Sequence, residues 1–239
     1  MTNELIILLT LASVVSYSFE IVFGLAGTIL MVMVMSFFLD AQTLVIYSVL
    51  PQILVATIGL YRTPGHVNRN VLLNMLGFAA VGALAGLALF YYFSPDDFRV
   101  LLAGAITAFG IYLVATPGRM KIKPLVARSL DTIAGVSQGL FGISGPIAMT
   151  RLLATFDNKT VIRNNALAFF LVLNLVRVGG YGINDTINDD IARAMLWSAP
   201  VLAVTLWFAN HLHFKVNEAW FRRVVSWVIL FGGVSLFLH

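Results

Sequence analysis

Two twelve-residue stretches decide the architecture: Glu20 to Met31, EIVFGLAGTILM, and Gln138 to Met149, QGLFGISGPIAM. Laid over each other with a shift of 118, they share five identities: one Phe, two Gly, one Ile and one Met. After a one-residue gap the likeness resumes, with Leu39-Asp40-Ala41-Gln42-Thr43-Leu44-Val45 on Phe156-Asp157-Asn158-Lys159-Thr160-Val161-Ile162. Farther on, Phe98 to Gly110 can be laid on Phe221 to Gly233. The chain therefore reads as two homologous halves, residues 1–120 and 121–239, joined near the basic linker Arg119 to Arg128.

Outward from these stretches the sequence is apolar. Of its 239 residues, 59% are hydrophobic and 11% charged, under half the charged share of about 25% in a soluble domain. Apolar runs such as Leu72 to Phe93 and Leu101 to Ala115 are separated by short polar loops. Eight such segments emerge, roughly 5–38, 44–61, 71–93, 98–115, 129–156, 161–182, 191–212 and 219–238. The fold class expected is an all-α polytopic membrane protein. A membrane β-barrel would show alternating segments of about 10 residues, the opposite pattern. Net charge is +4, but the basic residues lie at loops and helix ends without interleaved aromatics, so nucleic acid is not the expected partner. With no cysteine, disulfides, thiolate nucleophiles and Cys-ligated metals are excluded, and no metal or cofactor is expected. The start, MTNELIILLTLASVV, lacks the basic region of a secretory signal and reads as part of the mature protein.

The first segment, 34 residues long, would reach about 51 Å as one helix, far more than a bilayer needs. Both it and the fifth contain a glycine-rich interruption, Phe23-Gly24-Leu25-Ala26-Gly27 and Phe141-Gly142-Ile143-Ser144-Gly145. The first must tilt strongly, break or fold back, and the glycines favour a break at each. Loop charges point the same way. If all eight segments cross, Lys and Arg divide six against seven; if the fifth enters and leaves on one side, they divide eleven against two. Only the second division orients a protein. By the repeat the first segment behaves likewise, leaving three crossings per half and two halves in inverted orientation. Loops 62–70, 116–128, 157–162 and 213–222 are then cytoplasmic, with Asn184 to Asp190 and both termini outside.

Paired breaks free backbone N–H groups, and the second half-helix of each presents a partial positive charge, a natural anion site. The candidates are Gly24, Ala26, Gly27, Gly142, Ser144 and Gly145, where a second reading makes the glycines mere packing contacts. Glu20 and Gln138 hold matching positions before the breaks; Glu20 is a candidate proton carrier or, alternatively, an interfacial carboxylate. Arg151 and Arg177 lie inside apolar segments, placed either to pair with an anion or to snorkel to an interface. Asn164, Asn165 and Asn174 in segment six, with Tyr47, Ser48 and Gln52 in segment two, offer amides and hydroxyls to an oxyanion or to neighbouring helices. Gly82 and Gly86 form a GxxxG packing pattern. Asn184-Asp185-Thr186 has the form of a glycosylation sequon.

Gly142-Ile143-Ser144-Gly145 also resembles the nucleophile motif of rhomboid intramembrane proteases. A nucleophilic serine needs a positioned base, and the nearest histidines in prospect, His211 and His213, fall at the end of segment seven. The partner string Gly24-Leu25-Ala26-Gly27 keeps the glycines without the serine, so an enzyme is not expected. A retinal photoreceptor fits less well still, because all four lysines lie outside the apolar runs.

The doubled F-G-x-x-G string, Tyr61-Arg62 leading to Gly65-His66-Val67, and Asn164-Asn165-Ala166-Leu167 followed by Asn174 resemble the sulfite exporter TauE/SafE family, the 4-toluene sulfonate uptake permease group. The resemblance covers essentially the whole chain. It implies a multi-pass carrier of seven to eight segments in a prokaryotic inner membrane, moving sulfite, sulfonates or related small anions. Many members are richer in glycine at the first motif, where this chain has Gly24-Leu25-Ala26-Gly27-Thr28, and Pro146 has only Thr28 opposite it. The expected function is secondary transport of a small sulfur oxyanion by alternating access. Export is the expected direction, since an anion leaving a negative interior needs no coupling ion. An anion channel of the same architecture is the alternative.

Overall fold

The computed structural model describes residues 1–63, 65–115 and 122–211. Regular structure among them is helical: α1 (Asn3–Phe23), α2 (Gly27–Met35), α3 (Ala41–Tyr47), α4 (Val49–Arg62), α5 (Arg69–Tyr92), α6 (Pro95–Ala115), α7 (Pro124–Phe141), α8 (Gly145–Leu153), α9 (Lys159–Ile183) and α10 (Asp189–Ala209). α3 and α4 continue through Ser48 as one span. With α1, α5, α9 and α10 it makes, among the described residues, five helices long and apolar enough to cross a membrane. The expected eighth segment, the 213–222 loop and His213 lie outside the described residues.

Local chemistry fixes the helix starts. Side-chain oxygens of Thr2, Asp40, Asn68, Asn158 and Asn188 each accept from a backbone N–H two or three residues on. Such N-caps contribute about 1 kcal/mol apiece. α7 instead begins with Pro124, whose missing N–H would be unpaired there anyway.

The two glycine strings end helices as expected. α1 stops at Gly24 and α7 at Gly142, both left-handed, with φ of +79° and +66°. Ala26 is also left-handed, at φ +81°, an uncommon state for a residue with a Cβ. The chain then doubles back. Tyr17 and Thr28 would stand about 16 Å apart on a straight helix, yet their hydroxyls are 3.1 Å apart. Segment 5–38 is thus two helices in a hairpin, and α7 and α8 are likewise separated by a break, at 142–144.

Packing between the hairpins and the spans interlocks the two halves of the sequence. Gly82 and Gly86 of α5 lie against the backbone of Thr132 and Val136 in α7, and Gly135 and Gly139 lie against that of Ala79 and Ala83. The numbers rise together, so α5 and α7 are parallel. At the corresponding places, Arg193 of α10 donates to Asn3 of α1 at 2.6 Å, and Arg163 bridges Ile21 and Asn210 at their far ends. α1 and α10 are therefore parallel too. α4 and α9 run antiparallel: Arg177 reaches the Val45 carbonyl at one end, and Thr63 bonds Asn164 at the other.

A Cβ on Gly139 would strike the Ala83 carbonyl, which is backbone and cannot turn aside. Gly139→Val should therefore lower stability by about 3 kcal/mol, the upper range for an overpacked core. Thermal melting of the detergent-purified protein checks this, with Gly77→Val, where a Cβ meets open space, as the control.

The outer face is apolar. Ile7, Leu11 and Val15 line one side of α1, and Leu196, Val204 and Phe208 one side of α10, all exposed. Such stripes match a hydrocarbon environment. Polar contacts gather at two ends. Arg62 with His211, Thr63 with Asn164 and Asn68 with Asn165 mark one; Asn3 with Arg193, Gln42 with the Phe93 carbonyl and Tyr91 with Thr186 mark the other.

Candidate functional site

The two breaks meet. The ideal Cβ position of Gly145 lies 3.0 Å from Leu25 Cβ and 3.8 Å from the Ala26 nitrogen, so the loops that interrupt the hairpins touch near the middle of the bundle. Between them is a small cavity of about 10 Å³, room for roughly one water. Its polar wall is made by Glu20, Thr28, Gln52, Gln138 and Ser144, with Phe170 of α9 as an aromatic side. All of them are buried.

The first break is closed by its own carboxylate. Glu20, in the last turn of α1, holds its carboxylate against the backbone of Gly27 and Thr28 at the start of α2. A negative charge at a helix N-terminus is favourably placed. A Cβ on Gly27 would run into Glu20 and Tyr17, so the bare backbone there is what lets the carboxylate approach.

The second break is built from the same frame with different side chains. Gln138 stands where Glu20 stands, and its Oε1 accepts from Ser144 Oγ at 2.6 Å. No side chain caps the start of α8. Pro146 at its first turn has no N–H to give. The second half-helix thus keeps its partial positive end, flanked by the Ser144 hydroxyl, without a resident carboxylate.

A neutral amide relay joins the two breaks to a buried cation. Gln52 Nε2 donates to Thr28 Oγ1 at 2.8 Å and to the Gly142 carbonyl at 2.9 Å. Its Oε1 accepts from Gln138 at 3.0 Å and from Arg177 Nη1 at 3.3 Å. Asn174 Oδ1 accepts from Arg177 at 2.8 Å and from Gln138 at 3.3 Å. Arg177 Nη2 donates to the Val45 carbonyl, Ser48 and Tyr181. Its guanidinium lies 2.8–3.0 Å from where a Cβ on Gly142 would sit. Arg177 is therefore directed inward beneath the second break, not toward an interface.

Among the residues picked out by sequence, the structure brings Glu20, Ala26, Gln52, Gln138, Gly142, Ser144 and Gly145 to the cavity, with Asn174 and Arg177 one layer behind. Gly24 and Gly27 shape the first break. Three others stand elsewhere. Asn164 donates to Thr63, and Asn165 accepts from the Asn68 N–H, so both tie α9 to the end of α4 and the loop after it. Arg151 lies 3.6 Å from the Asp131 carboxylate and bonds Thr155 just past the end of its helix. Thr28, Phe170 and Arg163 were not among the candidates read from the sequence, and all three are buried. The spacing 163, 170, 177 on α9 was the available signal.

Ser144 donates to an amide oxygen, and His211 sits against Arg62 at the end of the bundle. This is not the arrangement of a serine activated by a base. No curated protein and no solved structure matches the chain in the comparisons made. The family model for the sulfite exporter TauE/SafE matches residues 8–236, nearly the whole length, and the chain belongs to that family of membrane transporters for sulfite and related sulfur anions.

Proposed function

We propose that this protein is a secondary transporter that exports sulfite or a small organosulfonate across the inner membrane of a prokaryote. The observation that carries the reading is the unlike pair of breaks. One half-helix end is taken by the Glu20 carboxylate, while its counterpart at α8 has a hydroxyl, an amide and, beneath Gly142, a guanidinium. A single anion belongs at the second.

Alternating access between inverted halves is the mechanism that fits. α1 and α7 lead each half into its break, and α4 and α9, which follow, run in opposite directions. That opposition supports two inverted repeats, residues 1–120 and 121–239. The polar ends agree with the loop charges: Arg62, Thr63, Asn68 and Asn164 cluster together at the end assigned to the cytoplasm. In the present conformation the cavity has room for about one water. An oxyanion enters only when the halves part, which suits a carrier better than a continuously open channel.

Binding is tested by thermal melting of the purified protein with sulfite, sulfoacetate, taurine, sulfate and thiosulfate. A ligand at 100 times its Kd stabilises by about 2.7 kcal/mol, a shift of several degrees. Sulfite or a sulfonate should raise the melting temperature above matched chloride. No shift with any of the five rejects the binding site.

A further inference from the structure

α9 carries a second buried arginine. Arg163 is 1% exposed, and its Nε donates to the Ile21 carbonyl at 2.8 Å while Nη2 bonds Asn210 Oδ1. Its Nη1 has no partner among the described residues, and neither has Nε of Arg177. Among the described residues, neither guanidinium has a carboxylate as a hydrogen-bond partner. A buried cation without a counter-charge is expensive, and its default meaning inside a membrane is a functional one.

The two arginines are placed alike with respect to the breaks. Gly24 and Gly142 hold the same position in the two strings. Arg163 Cγ lies 3.6 Å from the Cβ position of Gly24, as the Arg177 guanidinium lies against that of Gly142. Each of these two glycines thus has one arginine beside it, through the side-chain stem at Gly24 and the guanidinium at Gly142, and both arginines come from α9. Residues 163, 170 and 177 repeat every seven, so they stay within about 40° of one helix face. Successive members stand about 10 Å apart along the axis. Phe170, the middle one, forms a wall of the cavity. Gly59 makes room on the facing helix, since a Cβ there would meet Leu167 and come 3.3 Å from Arg163 Nη2.

We infer that Arg163 is a second anion station, the counterpart of Arg177 at the end of the bundle that carries Asn164 and His211, and that Phe170 is the apolar step between them. The anion moves from one guanidinium to the other past the ring, and each station serves one side of the membrane. This rests on the anion-transport reading above and adds to it a sidedness and a residue outside the cavity.

The test uses the full-length protein in proteoliposomes of known orientation, with radiolabelled sulfite presented from either face. Arg163→Gln should raise the half-saturating concentration about tenfold from the face nearer Asn164 and less than twofold from the other; Arg177→Gln should do the reverse. Arg163→Lys keeps the charge but loses the fork that holds Ile21 and Asn210, and it should stay within about threefold of wild type on both faces. Phe170→Ala should leave both half-saturation values within about threefold and change the rate of counterflow. Equal effects of Arg163→Gln on the two faces, or Arg163→Lys impaired as much as Arg163→Gln, would show a purely structural role and overturn the station. If the wild-type protein itself gives no saturable sulfite flux, the transport reading falls and the stations with it.

Discussion

Gly142→Ala should abolish most sulfite transport, on the order of a hundredfold, while Gly24→Ala costs far less. Both positions are left-handed, so both variants carry a backbone penalty of about 1–2 kcal/mol. What differs is the space. At Gly24 the nearest atoms to a new Cβ are 3.5 and 3.6 Å away, ordinary contact distances. At Gly142 three guanidinium atoms of Arg177 stand within 3.0 Å. The methyl group therefore displaces Arg177 from Gln52, Asn174 and the Val45 carbonyl, and it shifts the Gly142 carbonyl that accepts from Gln52. Buried polar groups left unpaired cost about 1–3 kcal/mol each. Initial sulfite flux in proteoliposomes, normalised to folded protein by size-exclusion chromatography, measures the difference. Equal losses in the two variants would mean that the cation beneath the second break is irrelevant to transport.

Glu20→Gln should make anion binding insensitive to pH. A carboxylate and a bound oxyanion on opposite walls of one cavity repel, so an anion binds more readily when Glu20 carries a proton. Linkage is reciprocal: substrate favours the proton and the proton favours substrate. In the wild type, affinity should rise as pH falls, by up to about tenfold per pH unit where Glu20 titrates. The amide that replaces the carboxylate is always neutral, so the variant should keep high affinity at every pH, with the slope gone. The charged or titratable neighbours are Tyr17 on the same helix and Arg163 and Arg177 on α9. Melting-temperature shifts with sulfonate, whose charge does not change near neutrality, read this directly. A variant that keeps the wild-type slope removes Glu20 from the coupling.

Much of this site was legible in the sequence because it is built from short, local rules. The doubled F-G-x-x-G string marks where helices cannot continue, and Gly24 and Gly142 are where α1 and α7 stop. The Gly82/Gly86 pattern announced close packing, and both residues lie on the α7 backbone. Depth and direction were not legible. Arg163 and Arg151 look alike in a linear reading, one near an end and one inside a run. Yet Arg163 is sealed between α1, α4 and α10, whereas Arg151 pairs with Asp131. Similarly, Asn164 and Asn174 belong to one helix and one residue type, but ten residues separate an end-of-bundle tether from a ligand of Arg177. Only the partners on other helices decide such cases, and partners are a property of the folded chain.

The parallel pairing of α5 with α7 and of α1 with α10 has a consequence for the chain as a whole. Each half buries its glycine-lined or polar flank not on itself but on the hairpin of the other half. Severed between the repeats, neither piece would possess the surface its third helix needs. The two stretches of sequence pack as two subunits that share a covalent tether, and under the proposed alternating access the opening of the cavity is a change of quaternary arrangement within one polypeptide.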